Sequence, residues 1–204
     1  ERLPGPIGED EFPFDLIGQT DIVYLDFNPA LLTPHIAALA KRQGKTVVLN
    51  FQDGLDSVLG RGIQAQQTLD MLVNVDVFAP CQEAIRALSG TDDVDGQLVF
   101  IRRYHHGLVV LTLGERGVVA FDKDNRRYEV PAYDIDPVDT TGAGDSFIGS
   151  FMVEYLVRHR DLGEALRYAT ACAAITCTRF GAQSSPDTDE VAAFIEKCGL
   201  PEVR

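Results

Sequence analysis

The residues best suited to chemistry lie in one short run, Asp139-Thr140-Thr141-Gly142-Ala143-Gly144-Asp145. Gly142 and Gly144 lack a Cβ, so the backbone there can bend sharply and approach a ligand closely. Downstream, Phe147, Ile148, Phe151, Met152, Tyr155 and Leu156 share one side at helical spacing. The glycines therefore sit at a helix N-terminus. Free amides and the positive end of the helix dipole converge on one spot there and favour an anion. Asp145 stands at the mouth of that spot. A carboxylate so placed can accept the proton of a hydroxyl that attacks phosphorus. The spacing alone also admits a plainer reading, because Asp is a favoured N-cap and many glycine-rich turns only turn. Two other phosphate motifs do not match. A P-loop needs GxxxxGK[ST], and no Lys follows these glycines. A dinucleotide fingerprint needs Gly where Phe147 stands, and the preceding YEVPAYDIDPV is not a clean buried strand.

The elements that must carry this turn alternate along the chain. Residues 1–20 read as an irregular lead-in, and 21–204 as one α/β domain. Asp21–Leu25, Thr46–Asn50, Val75–Phe78 and Leu108–Thr112 read as buried strands, continuous in aliphatic and β-branched residues. Between the first two, Thr33 offers an N-cap, Pro34 the first helical position and Gly44 the stop. Further helices are expected over 63–73 and 82–88. Such a pattern signals a mainly parallel central sheet covered by helices on both faces. Val118–Phe121 and Arg127–Val130 then flank the polar turn Asp122–Asn125, which predicts an antiparallel hairpin at the sheet edge. Three helices follow, near 145–158, 163–178 and 188–197. In open sheets of this type ligands bind outside the carboxyl ends of the strands.

The bulk properties narrow the function. With 204 residues, 45% of them apolar, the chain can bury a sizeable core. A formal charge of −13 argues against a nucleic-acid binder. It also means that any bound phosphate must be held by backbone amides, metal ions or a local basic patch. Cys81, Cys172, Cys177 and Cys198 form no CxxC pair and have no zinc spacing, so a reduced cytoplasmic protein is expected. His105-His106 lack a third ligand, and Arg102-Arg103 and Arg126-Arg127 read as solvated surface. No apolar run is long enough for a membrane span. The acidic, Pro-rich start resembles no targeting peptide, and residues upstream of Glu1 are left open.

The run DTTGAGDSFIGSF resembles the signature of the ribokinase-like (PfkB) carbohydrate kinases, Asp-Thr-x-Gly-Ala-Gly-Asp, then a small residue and Phe. Other stretches resemble that family in the right order. They are Thr112-Leu113-Gly114-Glu115-Arg116-Gly117, the Ala-rich Ala169–Ala174, and Arg179-Phe180-Gly181-Ala182-Gln183-Ser184-Ser185-Pro186. The resemblance runs from about Asp21 to the end. It implies the three-layer ribokinase-like fold and transfer of the γ-phosphate of ATP to a hydroxyl, usually on a sugar, with Mg²⁺. It further implies Asp145 as the base and the amides of Gly142, Ala143 and Gly144 as an anion hole. Thr112, Gly114 and Gly117 would lie along the nucleotide phosphates and Thr170 beside the adenine. Asp139, Thr141, Thr176, Arg179, Gly181 and Ser185 fall where the family holds a monovalent cation such as K⁺, mostly through carbonyls. The partners implied are a small sugar-like acceptor and, in a homodimer, a second copy.

Two departures stand out. Where the family carries Pro-Asn-x-x-Glu to organise Mg²⁺ and phosphate, this chain has Pro80-Cys81-Gln82-Glu83-Ala84. Cys81 is expected to be a packing residue, so the metal shell is either rebuilt or the activity altered. The family's N-terminal Gly-Gly motif, sugar-binding residues and β lid are not visible. Asp26 falls near an acidic residue that some members turn toward the sugar, although a strand-end Asp more often forms a turn. A non-catalytic nucleotide- or sugar-binding member, and a nucleoside or vitamin kinase, therefore stand as alternatives.

Overall fold

Continuous aliphatic runs become strands wherever the sequence predicts them. The computed structural model describes residues 7–52 and 54–204, so the first six residues of the expected lead-in lie outside it. The chain divides into two compact units, Glu1–Val110 and Leu111–Arg204. Residues 7–20 are not wholly irregular, since Glu9–Glu11 and Phe14–Gln19 make short 3₁₀ turns.

In the first unit the parallel strands β1 (Ile22–Leu25), β2 (Thr46–Phe51), β3 (Val77–Pro80) and β4 (Leu108–Thr112) pair in sequence order. Ile22 faces Thr46, Val48 faces Val77, and Val77 faces Leu108. β4 continues into the second unit at Leu111. The residues Val47–Phe51 and all of β3 are buried, which is why these strands carry no polar alternation. Phe27, Phe51, Phe78 and His105 form a chain of rings with centroids 5.1, 6.5 and 6.0 Å apart.

Asp76 fixes the amino ends of three strands. Its amide donates to Val47 O at 2.8 Å and its carbonyl accepts from Leu108 N at 2.9 Å. Its Oδ2 accepts from Val47 N at 2.9 Å, while Oδ1 pairs with Lys41. Gly107 is the residue that permits this approach, because a Cβ there would meet Asp76 O at 2.3 Å.

The helices of this unit are α1 (Thr33–Arg42), α2 (Leu55–Gly60), α3 (Ala65–Met71), α4 (Gln82–Ser89) and α5 (Val94–Ile101). α1 packs on β1, β2 and α3, and α4 packs against α2 and α5. Thr33 does not cap α1. It is the first helical residue, it is buried, and its hydroxyl donates backward to Pro29 O at 3.0 Å. α2 and α5 are not anticipated by the sequence reading, although Asp93 caps α5 by accepting from Gly96 N at 2.7 Å. Arg102 is no free surface charge, since its Nη1 donates to Gly107 O at 2.7 Å.

His105 is buried rather than looped out. Its Nδ1 lies 3.3 Å from Leu72 O and its Nε2 3.1 Å from Leu108 O. Burial pushes its pKa below the ordinary imidazole range, against the pull of the two carbonyls.

The second unit holds the hairpin β5 (Val118–Phe121) with β6 (Arg127–Val130), and then α6 (Ala143–Met152), α7 (Leu162–Cys177) and α8 (Thr188–Cys198). Asp122 Oδ1 closes the hairpin turn by accepting from Asp124 N and Arg126 N, each at 2.9 Å. α6 gives way to a π-helical turn over Val153–Val157, where one helix to 158 is expected. Glu154 in that turn is buried, with Oε1 2.6 Å from Arg158 and Oε2 2.8 Å from Arg160 Nε. α7 packs against α6, α8 and β6. Gly117 has φ +95°, and a Cβ on it would strike Val130 O at 2.1 Å and Ala132 N at 2.6 Å. Gly114 has φ +61° but faces open space.

Two stability outcomes follow. Gly117→Ala combines strain with a backbone collision and should cost at least about 2 kcal/mol in urea unfolding. Gly114→Ala carries only the left-handed strain, about 1 kcal/mol. Equal losses would show that the Val130–Ala132 backbone yields freely. The second outcome concerns pH. Because His105 is held neutral in the fold, the unfolded chain binds the extra proton as pH falls below about 6.5. The histidine contribution is thus full above that pH and shrinks as the pH falls below it. Unfolding free energies of wild type and His105→Gln should converge as the pH drops below it, and parallel curves would contradict this.

Candidate active site

Gly142 opens α6 in the left-handed region, with φ +83° and ψ −2°. Ala143 N donates to Thr140 O at 3.2 Å, closing a tight turn whose third residue needs positive φ. α6 has no side-chain cap. The turn consumes the Ala143 amide that the family resemblance assigns to an anion hole. Among the described residues, the amides of Gly142, Gly144 and Asp145 have no protein acceptor. They are the unsatisfied donors that a helix N-terminus offers an anion. Asp145 lies exposed in this first turn and makes no hydrogen bond or ion pair among the described residues.

Asp139 sets where this turn stands. Its Oδ1 accepts from Thr141 N at 2.9 Å and its Oδ2 from Gly181 N at 3.0 Å. Hydrogen bonds from the Thr141 side chain and amide, and then from the Gly181 amide, hold its carboxyl below the usual carboxylate range. The amides of Val138 and Asp139 both donate to Cys177 O, at 2.8 and 3.2 Å. Gly142 closes on the same loop, since a Cβ there would meet Ala182 O at 2.4 Å. The segment before α6 is thus tied to the end of α7 and to the loop that follows it. Ser146 Oγ adds a contact from α6 to Cys172 O at 3.5 Å.

Most of the predicted cation residues gather here. Asp139, Thr141 and Gly181 share the contacts above, and Arg179 N donates to Thr176 O at 3.1 Å. The Thr176 hydroxyl is buried and turned inward to Cys172 O at 2.9 Å, so only its carbonyl could serve a ligand. The Arg179 guanidinium forms a fork with Glu190, its Nη1 lying 3.3 Å from Oε2. Glu190 is a residue the sequence reading missed. It also accepts from Asp187 N at 2.9 Å in a capping box, and the Asp187-x-x-Glu190 spacing was the available signal. Ala182, whose carbonyl walls Gly142, was missed because a backbone contact leaves no side-chain signature. Ser185 lies exposed in the same loop.

The nucleotide candidates divide. Leu113 N donates to Gly117 O at 2.8 Å, so Thr112–Gly117 is a closed turn packed on the exit of β6. Gly117 is there for packing, whereas Gly114 is the exposed glycine of the turn. Thr170 is buried in α7 and its hydroxyl donates to Leu166 O at 2.8 Å.

Two expectations for the first unit are also resolved. Asp26 forms a turn, Oδ1 accepting from Asn28 N at 3.1 Å. Cys81 is more than packing. It caps α4, Sγ accepting from Ala84 N at 3.4 Å and donating to Gln52 O at 3.5 Å. Burial raises its pKa and keeps the thiol protonated. Ala84 is wholly buried and Glu83 is exposed. This turn therefore does not fit a divalent metal ion, for which it presents neither an inward carboxylate nor a thiolate. Among the described residues no three His, Cys, Asp or Glu side chains come together as a metal cluster, and no helix is long and apolar enough to cross a membrane.

Comparison with known proteins agrees with this arrangement. Residues 7–189 match the model of the pfkB family carbohydrate kinases. Ribokinase of Haemophilus influenzae is 32% identical over 188 residues, covering 88% of this chain and 57% of the relative. Fructokinase-1 of Zea mays is 30% identical over 175 residues, covering 81% and 54%. The crystal structure of ribokinase from Thermotoga maritima aligns with a TM-score of 0.76 at 29% identity, over 93% of this chain and 61% of that one. The chain spans somewhat more than half the length of the curated relatives it matches. The fold is thus the α/β class that the alternating pattern predicts, in the ribokinase-like form that the resemblance implies, and the glycine turn, its Asp139 anchor and the family match lead to one conclusion: the chain belongs to the pfkB family of carbohydrate kinases.

Proposed function

We propose that this chain carries the phosphoryl-transfer apparatus of an ATP-dependent kinase acting on a hydroxyl of a sugar or sugar-like acceptor, with Asp145 as general base. The observation that carries this reading is the exposed, unpaired Asp145 carboxylate beside the acceptor-free amides at the start of α6. The sugar class is supported by the relatives, which are ribokinase and fructokinase.

ATP supplies the transferable γ-phosphoryl group. Asp145 takes the proton of the acceptor hydroxyl as its oxygen bonds to the γ-phosphorus and the bond to the bridging oxygen breaks, that oxygen leaving with ADP, so the attacking atom does not carry excess positive charge. The amides of Gly142, Gly144 and Asp145 donate to the phosphoryl oxygens and stabilise the charge on them without any Lys or Arg. Thr112, Gly114 and the Gly117 turn would follow the nucleotide phosphates, and Thr170 would border its base. Asp139 with the carbonyls of Thr141, Thr176, Arg179 and Gly181, and with Ser185, is a donor set that fits a weakly held monovalent ion. Such an ion would add positive potential behind the turn. No step is assigned to Mg²⁺ at the Cys81–Ala84 turn, because those residues do not fit it.

That misfit favours a second reading, a member that binds nucleotide without turnover. Two variants separate the readings. Asp145→Asn should lower turnover by about 10²–10⁴-fold while nucleotide affinity, measured calorimetrically, changes little. Gly142→Ala should weaken nucleotide binding and turnover together, since both φ and Ala182 O oppose a side chain there. Unchanged turnover in Asp145→Asn with a phosphorylated acceptor would sink the first reading. ATP binding without turnover across pentoses, hexoses, nucleosides and pyridoxine would establish the second.

A further inference from the structure

Arg179 closes a loop with its own side chain. Its amide donates to Thr176 O in the last turn of α7 at 3.1 Å, while its Nη1 reaches Ser184 O at 3.4 Å. The guanidinium therefore spans the stretch from 179 to 184. Inside that span the Ser184 hydroxyl donates to Gly181 O at 2.8 Å. Two groups of the same span face the signature turn. The Gly181 amide is the donor that Asp139 Oδ2 holds, and Ala182 O is the atom against which Gly142 closes. The shape of this loop thus sets two of the contacts that fix the anion turn.

The guanidinium is itself held from outside by Glu190, in the first turn of α8. Nη2 pairs with Oε1, Nη1 lies 3.3 Å from Oε2, and Oε2 also accepts from Asp187 N at 2.9 Å. Both side chains are partly exposed, and an ion pair of that kind contributes little stability. What the fork fixes is direction, because a bidentate guanidinium–carboxylate pair has a defined geometry that Lys does not supply. The capping box ties the carboxylate to a helix end, so Arg179 is fastened to a rigid element.

We propose that Glu190 is a positioning residue for phosphoryl transfer: acting through Arg179, it holds the 179–184 loop in the shape that puts Gly181 N on Asp139 and Ala182 O against Gly142. The inference rests on the kinase reading above. Glu190 touches no substrate in this role. Its effect falls on the aim of the Gly142, Gly144 and Asp145 amides, which stabilise charge as it develops on the phosphoryl oxygens. A misaimed donor costs the transition state more than the bound ground state. The loss therefore belongs in kcat rather than in KM.

Two conservative variants isolate the arm toward Arg179. In Glu190→Gln the new side chain still completes the capping box, but its single oxygen cannot serve the Asp187 amide and both guanidinium nitrogens. Arg179→Lys keeps the charge and loses the fork. The whole chain is assayed with ATP and whichever of the pentoses, hexoses, nucleosides and pyridoxine the wild type phosphorylates fastest. Each variant should lose about tenfold in kcat, with KM for ATP and for the acceptor unchanged within about twofold. The double variant should lose no more than the worse single variant, because the two side chains act as one unit. Hydrogen exchange followed by NMR gives a readout independent of turnover. The Gly181 amide should exchange faster in both single variants, while the Val191 amide of α8, which bonds Asp187 O, keeps its wild-type rate in Glu190→Gln. An unchanged kcat, losses that multiply in the double variant, or an unaltered Gly181 amide would overturn the inference and leave the kinase reading intact. A wild type that transfers phosphate to no acceptor would overturn both.

Discussion

The Asp139 carboxylate is the interaction on which the second unit depends. One oxygen holds the Thr141 amide and the other the Gly181 amide, 42 residues along the chain. Its own amide hangs on Cys177 O. Together with the bond from Ala143 N to Thr140 O and the close approach of Ala182 O, the carboxylate fixes the left-handed turn at Gly142. With it, the free amides of that turn are aimed in a fixed direction before any ligand arrives. Preorganised donors of this kind need no reorganisation when charge develops. The carboxylate is exposed, yet its three hydrogen bonds keep it ionised well below neutral pH. The anchor is therefore charged at neutral pH.

The charge of the chain poses a problem that the same unit answers. At −13, the protein repels a nucleotide at long range. Arg179, Arg158 and Arg160, which could attract one, are already committed to Glu190 and Glu154. The acceptor-free amides at the start of α6 offer backbone dipoles instead, which act at short range. This places the burden of recognition on shape and on amides rather than on surface charge. It also explains why glycine matters so much here. At Gly142 and Gly117 a Cβ would collide with the backbone of another segment, at 2.4 and 2.1 Å.

The strands and the signature turn were legible in the sequence because both rest on local rules. Buried parallel strands must be apolar throughout, and a Gly-x-Gly before an amphipathic run marks a helix start. α2 and α5 were not legible, because Gly60 and Gly96 interrupt them and α5 has no clear apolar face. Thr33 misled because a Thr before Pro suits a cap, while the fold buries it one residue later. Arg102 read as surface, and the burial of His105 was not foreseen, because their partners are backbone carbonyls, which no side-chain pattern announces. The role of Ala182 was hidden for a related reason, since it depends on where two segments meet, whereas the capping box of Glu190 was legible and missed. Family likeness located the turn, but only the hydrogen bonds showed that Ala143 is spent inside it.

Asp76 has a mechanical consequence. It fastens β2, β3 and β4 to one another at their amino ends through three backbone-directed bonds and a lysine contact. A sheet riveted at one end behaves like a fan held at its hub. The blades of β2 and β3 stay in register out to the far end, where Phe51 faces Pro80 and Cys81 N donates to Phe51 O at 2.9 Å. The hub therefore sets the lateral order of β2, β3 and β4, and a change at Asp76 would be felt in all three strands at once.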